Sequence, residues 1–318
     1  MRRREAAPGG ERRGGSARTL AVLGRQRYLF LMSVPFMAWL FVFKYMPLWG
    51  WTMAFQQYKP GVPFLRQTWI GLKYFSEMFA DPQFWLVMRN TLVMSLLGLL
   101  FGFTLPIVLA IMLNEVRCLP FKKAVQTISY LPHFVSWVIV ASMFSKMLST
   151  DNGVVNQLLM ALGLISKPVQ FMAVPRYFWW IVTFADLWKE IGWNSIIFLA
   201  AIAGIPQELY EAAKVDGAGR FRSIWHITLP GILMTIMVIL IMSIGHLINI
   251  GFERQFLMRN NIVRDYADVL DLYILDRGIN AARFAFGTAA GIFKSVVSVV
   301  LIFAANAASR KTLGIRVI

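Results

Sequence analysis

The sequence is short of the side chains from which enzymes and metalloproteins usually build a site. Its single cysteine, Cys118, excludes an internal disulfide bond. With only His133, His226 and His246 beside it, little remains from which to build a zinc site. There is no Gly-x4-Gly-Lys-Ser/Thr loop for nucleotide phosphates, and no nucleophile, base or metal set clusters at one depth. We therefore expect no metal, no cofactor and no catalysis in this chain.

Apolar residues, in contrast, are abundant. Hydrophobic residues make up 58% of the chain and charged residues 15%, and the mean hydropathy is +0.59. These values lie outside the range of soluble globular proteins. The net charge of +16 gathers at the two ends and in short loops between apolar runs, as in proteins oriented in a bilayer. The sequence therefore predicts an all-α polytopic membrane protein with lipid neighbours and no nucleic-acid partner.

Six apolar runs of about 20 residues or more are each long enough to cross a hydrocarbon core of about 30 Å. The predicted spans are 28–49, 86–113, 125–148, 177–203, 230–250 and 284–308. Six crossings put both termini on one side. The segments on that side hold 17 Lys and Arg residues and the opposite segments hold 11, so the termini are predicted to be cytoplasmic.

The segments outside the spans differ in character. Residues 1–27 carry eight arginines among Gly, Ala, Pro and Ser, which predicts a disordered basic cytoplasmic tail. Residues 28–85 hold the first span and an outer loop, and residues 309–318 form a C-terminal cytoplasmic tail. In the long outer connection 251–283, aspartates recur at helical spacing between Val263 and Leu275. This pattern predicts one amphipathic helix on the outer surface, with a solvated loop as the alternative.

Glycine and proline positions within the spans make further predictions. Gly98-x3-Gly102 and Gly287-x3-Gly291 are spaced to permit close approach of helices in lipid. Pro106 and Pro132 are predicted to kink their helices.

A polar stretch, residues 205–230, interrupts the apolar runs between the fourth and fifth spans. Pro206 suits the first turn of a helix, and Gly217 suits a left-handed helix end. A second amphipathic piece follows and presents Phe221, Ile224 and Trp225. The pattern predicts two short helices at a sharp angle, forming a rigid knob. The alternative is an amphipathic loop that lies on the lipid surface.

The spacing Glu-Ala-Ala-x3-Gly-x9-Ile-x-Leu-Pro in this stretch resembles the cytoplasmic signature of ABC-importer permeases. The matching residues are Glu211, Ala212, Ala213, Gly217, Ile227, Leu229 and Pro230, with Asp216, Ala218 and Phe221 matching its extended form. Residues 187–194 and 291–295 further resemble the polysaccharide and complex-sugar branch, which is related to maltose and alginate permeases.

This resemblance implies a type I importer fold, with the permease domain over residues 86–308 and a coupling loop over 205–230. It implies a second, usually different permease subunit, two ATPase subunits that bind ATP and Mg, and an extracytoplasmic solute-binding protein. The knob would sit in a cleft of the ATPase and drive alternating access in a bacterial cytoplasmic membrane. Two alternatives stay open: import of another solute class on the same fold, and an ion-coupled secondary transporter without an ATPase.

Polar residues inside the spans are candidates for the substrate pathway, because ionisable groups in hydrocarbon are unfavourable. At about 100° per residue one face of the fourth span carries several of them, and others lie in the fifth and sixth spans. The candidates are Asp186, Lys189, Glu190, Trp193, Asn194, His246, Asn249 and Lys294.

Two interpretations compete for these residues. In one, the charges pair with one another and only hold helices together. In the other, they line a sugar pathway in which Trp193 stacks on a sugar ring and Asn194 hydrogen-bonds its hydroxyls. Lys294 needs a partner, for which Glu190 or Asp186 is the natural candidate, and an unpaired lysine would favour acidic sugars. His133 is expected to be a packing residue.

Overall fold

The structure, a computed structural model, describes residues 26–313, with side chains described to residue 311. The predicted basic tail up to residue 25 and the last five residues of the chain lie outside this range. The described residues divide into two units, 26–52 and 53–313.

The first unit consists, in its described part, of most of helix α1 (Arg27–Phe55). This helix is α-helical to Leu40, continues through a π-helical segment, Phe41–Tyr45, and ends in 3-10 geometry. Side chains 28–49 are exposed, and the helix is long and apolar enough to cross a membrane. Exposed apolar side chains all around a helix suit a lipid environment.

The second unit contains a small antiparallel sheet, in which Gln56 pairs with Trp69, and a series of helices. Its elements are β1 (Gln56–Gln57), β2 (Thr68–Trp69), α2 (Lys73–Ala80), α3 (Pro82–Glu115), α4 (Leu119–Phe134), α5 (Trp137–Met147), α6 (Val154–Ala161), α7 (Pro175–Ala203), α8 (Gln207–Val215), α9 (Arg220–Gly231), α10 (Leu233–Gly245), α11 (Phe252–Met258), α12 (Arg264–Ala267), α13 (Leu270–Ile274) and α14 (Phe284–Leu313).

Helices α1, α3 and α14 are each long and apolar enough to cross a membrane unaided. Three bent pairs also qualify when each is counted as one span: α4 with α5, α7 with α8, and α9 with α10. This gives up to six spans in the described part of the chain, in agreement with the six predicted runs. Regular helices satisfy their own backbone hydrogen bonds, which is why apolar runs of this length adopt them in lipid.

The third predicted span is broken between α4 and α5, which meet at 103°. Pro132 lies in a 3-10 turn, Leu131–Phe134, and the Ser136 side chain caps the next helix at the Ile139 N–H. The predicted kink at Pro132 is therefore confirmed. Pro106 lies within α3, just after a π-helical segment, Gly98–Phe103, and the helix continues through it.

The buried core of the second unit forms three clusters. One joins α3, α5 and α7 to the connection after α10, through side chains such as Phe144 and Phe178. A second joins α2, α3, α13 and α14 around Phe84 and Phe286. The third, at the other end of α3 and α7, includes Phe198, Ile205 and Ile232.

The segment from Val263 to Leu275 is neither the single surface helix nor the solvated loop that were the two alternatives. It forms two short helices, α12 and α13, broken at Asp268, and Ala267 and Leu270 are fully buried. The buried Asn90 side chain of α3 donates to the carbonyl oxygens of Asp265 (2.9 Å) and Asp268 (2.8 Å). The segment is thus part of the core, because α3 supplies the donors its broken backbone requires.

The two glycine pairs behave differently. A Cβ on Gly287 would lie 3.1 Å from Cα of Gly278, so this glycine does permit a close backbone approach. A Cβ on Gly98, Gly102 or Gly291 would meet nothing within 4 Å, so these glycines mark no close helix approach within the described part of this chain. Gly98 and Gly102 instead border an open cavity.

Candidate functional site

A cavity of about 480 Å³ lies between α3, α7, α10 and the connection that leads into α11. The π-helical segment Gly98–Phe103 contributes one wall, and π segments within α-helices are frequent at functional sites. The missing side chains of Gly98 and Gly102 leave room on this wall. The polar lining consists of Ser95, Asp186, Glu190, Trp193, Asn194, Ser243, His246, Asn249 and Arg254.

Six of the eight residues predicted for the substrate pathway meet in this one cavity. They come from the polar face of α7 and from the end of α10, and they are Asp186, Glu190, Trp193, Asn194, His246 and Asn249. The other two, Lys189 and Lys294, do not line it. A pocket with an apolar body and a few converging polar groups is typical of a small-molecule site.

Lys189 is directed away from the cavity, although it shares the polar face of α7. It is only 5% exposed, and its Nζ donates to the His133 carbonyl oxygen (2.6 Å) and to Glu190 Oε1 (3.0 Å). His133 Nδ1 lies 2.7 Å from Glu190 Oε2, so both carboxylate oxygens of Glu190 are engaged. These contacts tie α7 to the break between α4 and α5.

Trp193 has one ring face covered by His133. The two rings are parallel, with centroids 4.2 Å apart and an interplanar angle of 2°, and Phe134 contacts both rings edge-on. Trp193 also lines the cavity and is 42% exposed. His133 was predicted to be a packing residue; it packs, but what it supports is a cavity-lining ring.

Asp186 is paired with Arg254 across the cavity wall, which joins α7 to α11. Gly251, with φ of +91°, is the residue immediately before α11 and adopts a backbone conformation that suits glycine. The two paired side chains are partly buried, at 26% and 14% exposure respectively.

The partner predicted for Lys294 is wrong. Lys294 Nζ pairs with Asp271 of α13. Among the described residues, Glu190 pairs instead with Lys189, and Asp186 with Arg254. The reason is that the outer connection 251–283 folds inward and brings Asp271 to Lys294 of α14. The sequence pattern had placed Asp271 at the outer surface. Lys189 and Lys294 are therefore both paired, and the condition that would have favoured acidic sugars, that one of these two lysines is unpaired, is not met.

The loop 205–230 has the predicted architecture of two helices around a glycine turn. Helix α8 ends at Val215, and Gly217 follows with φ of +75°. The Ala218 N–H donates to the Ala213 carbonyl oxygen (2.8 Å) and the Gly217 N–H to that of Lys214 (3.2 Å). Such bonds close a helix C-terminus when one residue is left-handed.

Side-chain contacts hold the two arms of this loop together. Tyr210 Oη lies 2.9 Å from Thr228 Oγ1, and Ile227 packs against the third core cluster. The outer side of the loop, in contrast, is apolar and exposed: Val215 is 88% exposed, Phe221 82% and Trp225 68%. Exposed apolar residues on a braced loop are typical of a surface that binds a protein or a membrane.

Sequence reasoning missed several features of the site. Arg254 was counted only as one charge in an outer segment, because Asp186 was considered as a partner for Lys294 within the spans. His133 was assigned to packing, and nothing in the sequence signalled its stacking on Trp193. In the described residues no group of three or more His, Cys, Asp or Glu side chains is arranged to hold a metal ion.

The bundle, the internal cavity and the braced loop together define a polytopic α-helical transport component of a membrane. Residues 102–313 match the family described as "Binding-protein-dependent transport system inner membrane component". The chain belongs to this family, as the loop signature indicated.

Curated relatives agree over nearly the whole chain. Protein LplB of Bacillus subtilis (strain 168) is 44% identical over 292 residues, which cover 92% of this chain and 91% of the relative. The polygalacturonan/rhamnogalacturonan transport system permease protein YteP of the same organism is 43% identical over 294 residues, with 92% and 91% covered.

Solved structures confirm the fold. A chain of a bacterial ABC transporter involved in the import of the acidic polysaccharide alginate superposes with a TM-score of 0.86 at 43% identity, covering 93% of this chain and 99% of that one. A chain of the bacterial alginate ABC transporter in complex with an alginate pentasaccharide-bound periplasmic protein gives 0.84 at 43% identity, covering 92% and 96%. The type I importer fold expected from the resemblance is therefore correct.

Proposed function

We propose that this chain is one permease subunit of an ATP-driven, binding-protein-dependent importer of oligo- or polysaccharides. It forms half of the translocation pathway and is itself non-catalytic. The observation that carries the proposal is the cavity between α3, α7 and α10, which gathers an aromatic ring and hydrogen-bonding groups inside a membrane-spanning bundle. Polar groups within membrane-spanning helices face the bundle interior or a water-filled cavity and often mark a path for solute.

The lining chemistry suits a saccharide. Trp193 offers an aromatic surface for a sugar ring, and Asn194, His246 and Asn249 offer donors and acceptors for hydroxyl groups. The charges Asp186 and Glu190 are held in ion pairs and so act as oriented acceptors. The names of the similar proteins, which concern polygalacturonan, rhamnogalacturonan and alginate, support saccharides as the substrate class and acidic ones in particular.

The loop 205–230 is proposed to couple the chain to ATPase subunits on the cytoplasmic side. Its exposed apolar residues Phe221 and Trp225 would enter a cleft of the ATPase, and its internal contacts would transmit the displacement of that cleft to α7 and α10. The proposed coupling residues are Glu211, Ala212, Ala213, Asp216, Gly217, Ala218, Phe221, Ile227, Leu229 and Pro230.

The remaining partners follow from this assignment. ATP and Mg would bind only to the two ATPase subunits, a second permease subunit would complete the pathway, and an extracytoplasmic binding protein would deliver the solute. The complex would lie in a bacterial cytoplasmic membrane with both termini of this chain inside. The similar alginate transporter was solved in complex with a periplasmic protein, which supports the proposal of an extracytoplasmic binding protein.

The test is reconstitution of the complete transporter in proteoliposomes with its binding protein and a radiolabelled oligosaccharide. We expect uptake that requires ATP hydrolysis inside the vesicle and the binding protein outside it. Uptake driven by a proton or sodium gradient without ATP would identify a secondary transporter instead. Uptake of a non-saccharide solute alone would keep the coupling assignment and refute the substrate class.

A further inference from the structure

The cavity carries one cation whose hydrogen-bonding capacity is not used up within the described part of the chain. Resting on the proposed function, we propose that Arg254 recognises the carboxylate of an acidic saccharide and makes the pathway selective for uronate-containing oligosaccharides. Among the described residues that line the cavity, Arg254 is the only lysine or arginine.

The donors of Arg254 are unevenly used. A guanidinium group has five N–H donors in a planar fork. Nη1 pairs with Asp186 Oδ1, whereas Nε is buried and has no hydrogen-bond partner among the described residues. A buried donor without an acceptor is unfavourable, and native proteins seldom leave one in that condition. A ligand in the cavity cannot reach this buried atom, but it can reach the outer Nη atoms, for which Asp186 is the one partner described.

The chemistry of this donor favours a carboxylate over a hydroxyl. The fork of a guanidinium matches the two oxygens of a carboxylate, and a hydrogen bond between charged groups is stronger than one between neutral groups. Lys189 and Lys294, the two lysines predicted for the pathway, are committed to Glu190 and Asp271. Arg254 is thus the cation positioned to meet an anion in this space.

The cavity wall does not oppose an anion by an excess of negative charge. Asp186 is balanced by Arg254, and Glu190 by Lys189, which lies behind it and is nearly fully buried. A uronate would therefore approach a wall whose formal charges cancel. The carboxylate of Asp186 would still compete with the ligand for the same guanidinium. Loss of Arg254 and loss of the Asp186 charge should therefore have opposite effects on binding of an acidic ligand.

The experiment measures equilibrium binding to the complete permease and ATPase complex in nanodiscs, with the binding protein omitted so that its own selectivity does not enter. The probes are a galacturonate tetrasaccharide and the same tetrasaccharide with its carboxyl groups reduced to alcohols. We expect Arg254→Gln to weaken binding of the acidic probe about tenfold or more, the range of a charged hydrogen bond, and to weaken binding of the reduced probe much less, so that the preference for the acidic probe is lost.

Asp186→Asn removes the anion of the same ion pair. Its effect decides whether Arg254 binds the ligand or only helps to hold α7 and α11 together. If Arg254 reads the ligand, removing its competitor strengthens binding of the acidic probe severalfold. If the pair only holds α7 and α11 together, both variants weaken binding of both probes alike, and the proposal is overturned. Equal affinity of Arg254→Gln and wild type for the acidic probe overturns it as well.

Lys294→Gln is the matched control. It removes the cation of another partly buried pair, whose side chains are 17% and 18% exposed, against 14% and 26% for Arg254 and Asp186. Because Lys294 does not line the cavity, the preference for the acidic probe should stay at the wild-type value. A wild-type complex that neither binds nor takes up any saccharide refutes the proposed function itself. Saccharide uptake with a preference independent of Arg254 refutes only this inference.

Discussion

The glycine turn of the coupling loop allows a prediction in which backbone conformation is the only variable. Gly217 has φ of +75°, and a Cβ placed on it would meet nothing within 4 Å. Replacing it by alanine therefore introduces no clash, and the cost is that of holding a side-chain-bearing residue in the left-handed region. This cost is about 1–2 kcal/mol, which shifts the equilibrium between intact and distorted turn about 5- to 30-fold.

A graded series follows from this reasoning. Asparagine tolerates the left-handed region better than alanine, and a β-branched valine tolerates it least, so coupling should fall in the order Gly, Asn, Ala, Val. Gly217→Pro should be the most damaging, because proline cannot adopt the positive φ and also removes the N–H that donates to Lys214. This variant should still insert into the membrane and should uncouple transport.

The assay is saccharide uptake per ATP hydrolysed by the reconstituted transporter, with insertion checked by the yield of assembled complex. Gly219→Ala is the control, since its Cβ would also meet nothing within 4 Å but its φ is −74°, which any residue adopts. We expect Gly219→Ala to match the wild type. Equal coupling in Gly217→Ala and Gly219→Ala, or normal uptake with Gly217→Pro, would refute the proposed role of the turn.

Two further predictions concern the outer connection 251–283, one at its contact with α14 and one at its charged residues. Gly287→Ala should lower the thermal midpoint of the purified complex, because its Cβ would lie 3.1 Å from the backbone of Gly278, whereas Gly291→Ala has open space and should not; equal midpoints would contradict this. Burial opposes ionisation of Asp276, but hydrogen bonding and charge from Arg259, together with a neighbouring arginine, outweigh it and lower the pKa of Asp276 below its ordinary value. The resulting stability is therefore present above pH about 4 and is lost as the pH falls through the lowered pKa, so Arg259→Gln should flatten the acid-side fall of the thermal midpoint. An unchanged pH profile in that variant would show that the interaction of Asp276 with Arg259 contributes nothing to the stability of the complex.

Much of the candidate site was predictable because helical periodicity is a local property. The spacing of Asp186, Glu190 and Trp193 placed them on one face of a helix before any contact was known, and all three line the cavity. The left-handed turn at Gly217 was predictable for the same reason, since it depends on neighbouring residues and on the missing Cβ.

Ion pairing was less predictable, because it depends on which helices meet. The sequence suggested Glu190 or Asp186 as the partner of Lys294, but the outer connection 251–283 folds inward and brings Asp271 to it. The same folding brings Arg254 to Asp186. Both partners come from a connection whose aspartates and arginines, taken in sequence, suit a solvated surface equally well.

The sequence by itself determined that the chain crosses a membrane, where its apolar runs lie, and which loop carries the family signature, since each of these follows from residues close together in the chain. The tertiary structure alone decided how the outer segment packs, which cation faces the cavity, and that Gly98 and Gly102 open a space rather than close a helix contact. The physical reason is that burial and charge pairing are set by contacts between residues distant in sequence, and such contacts leave no periodic trace along the chain.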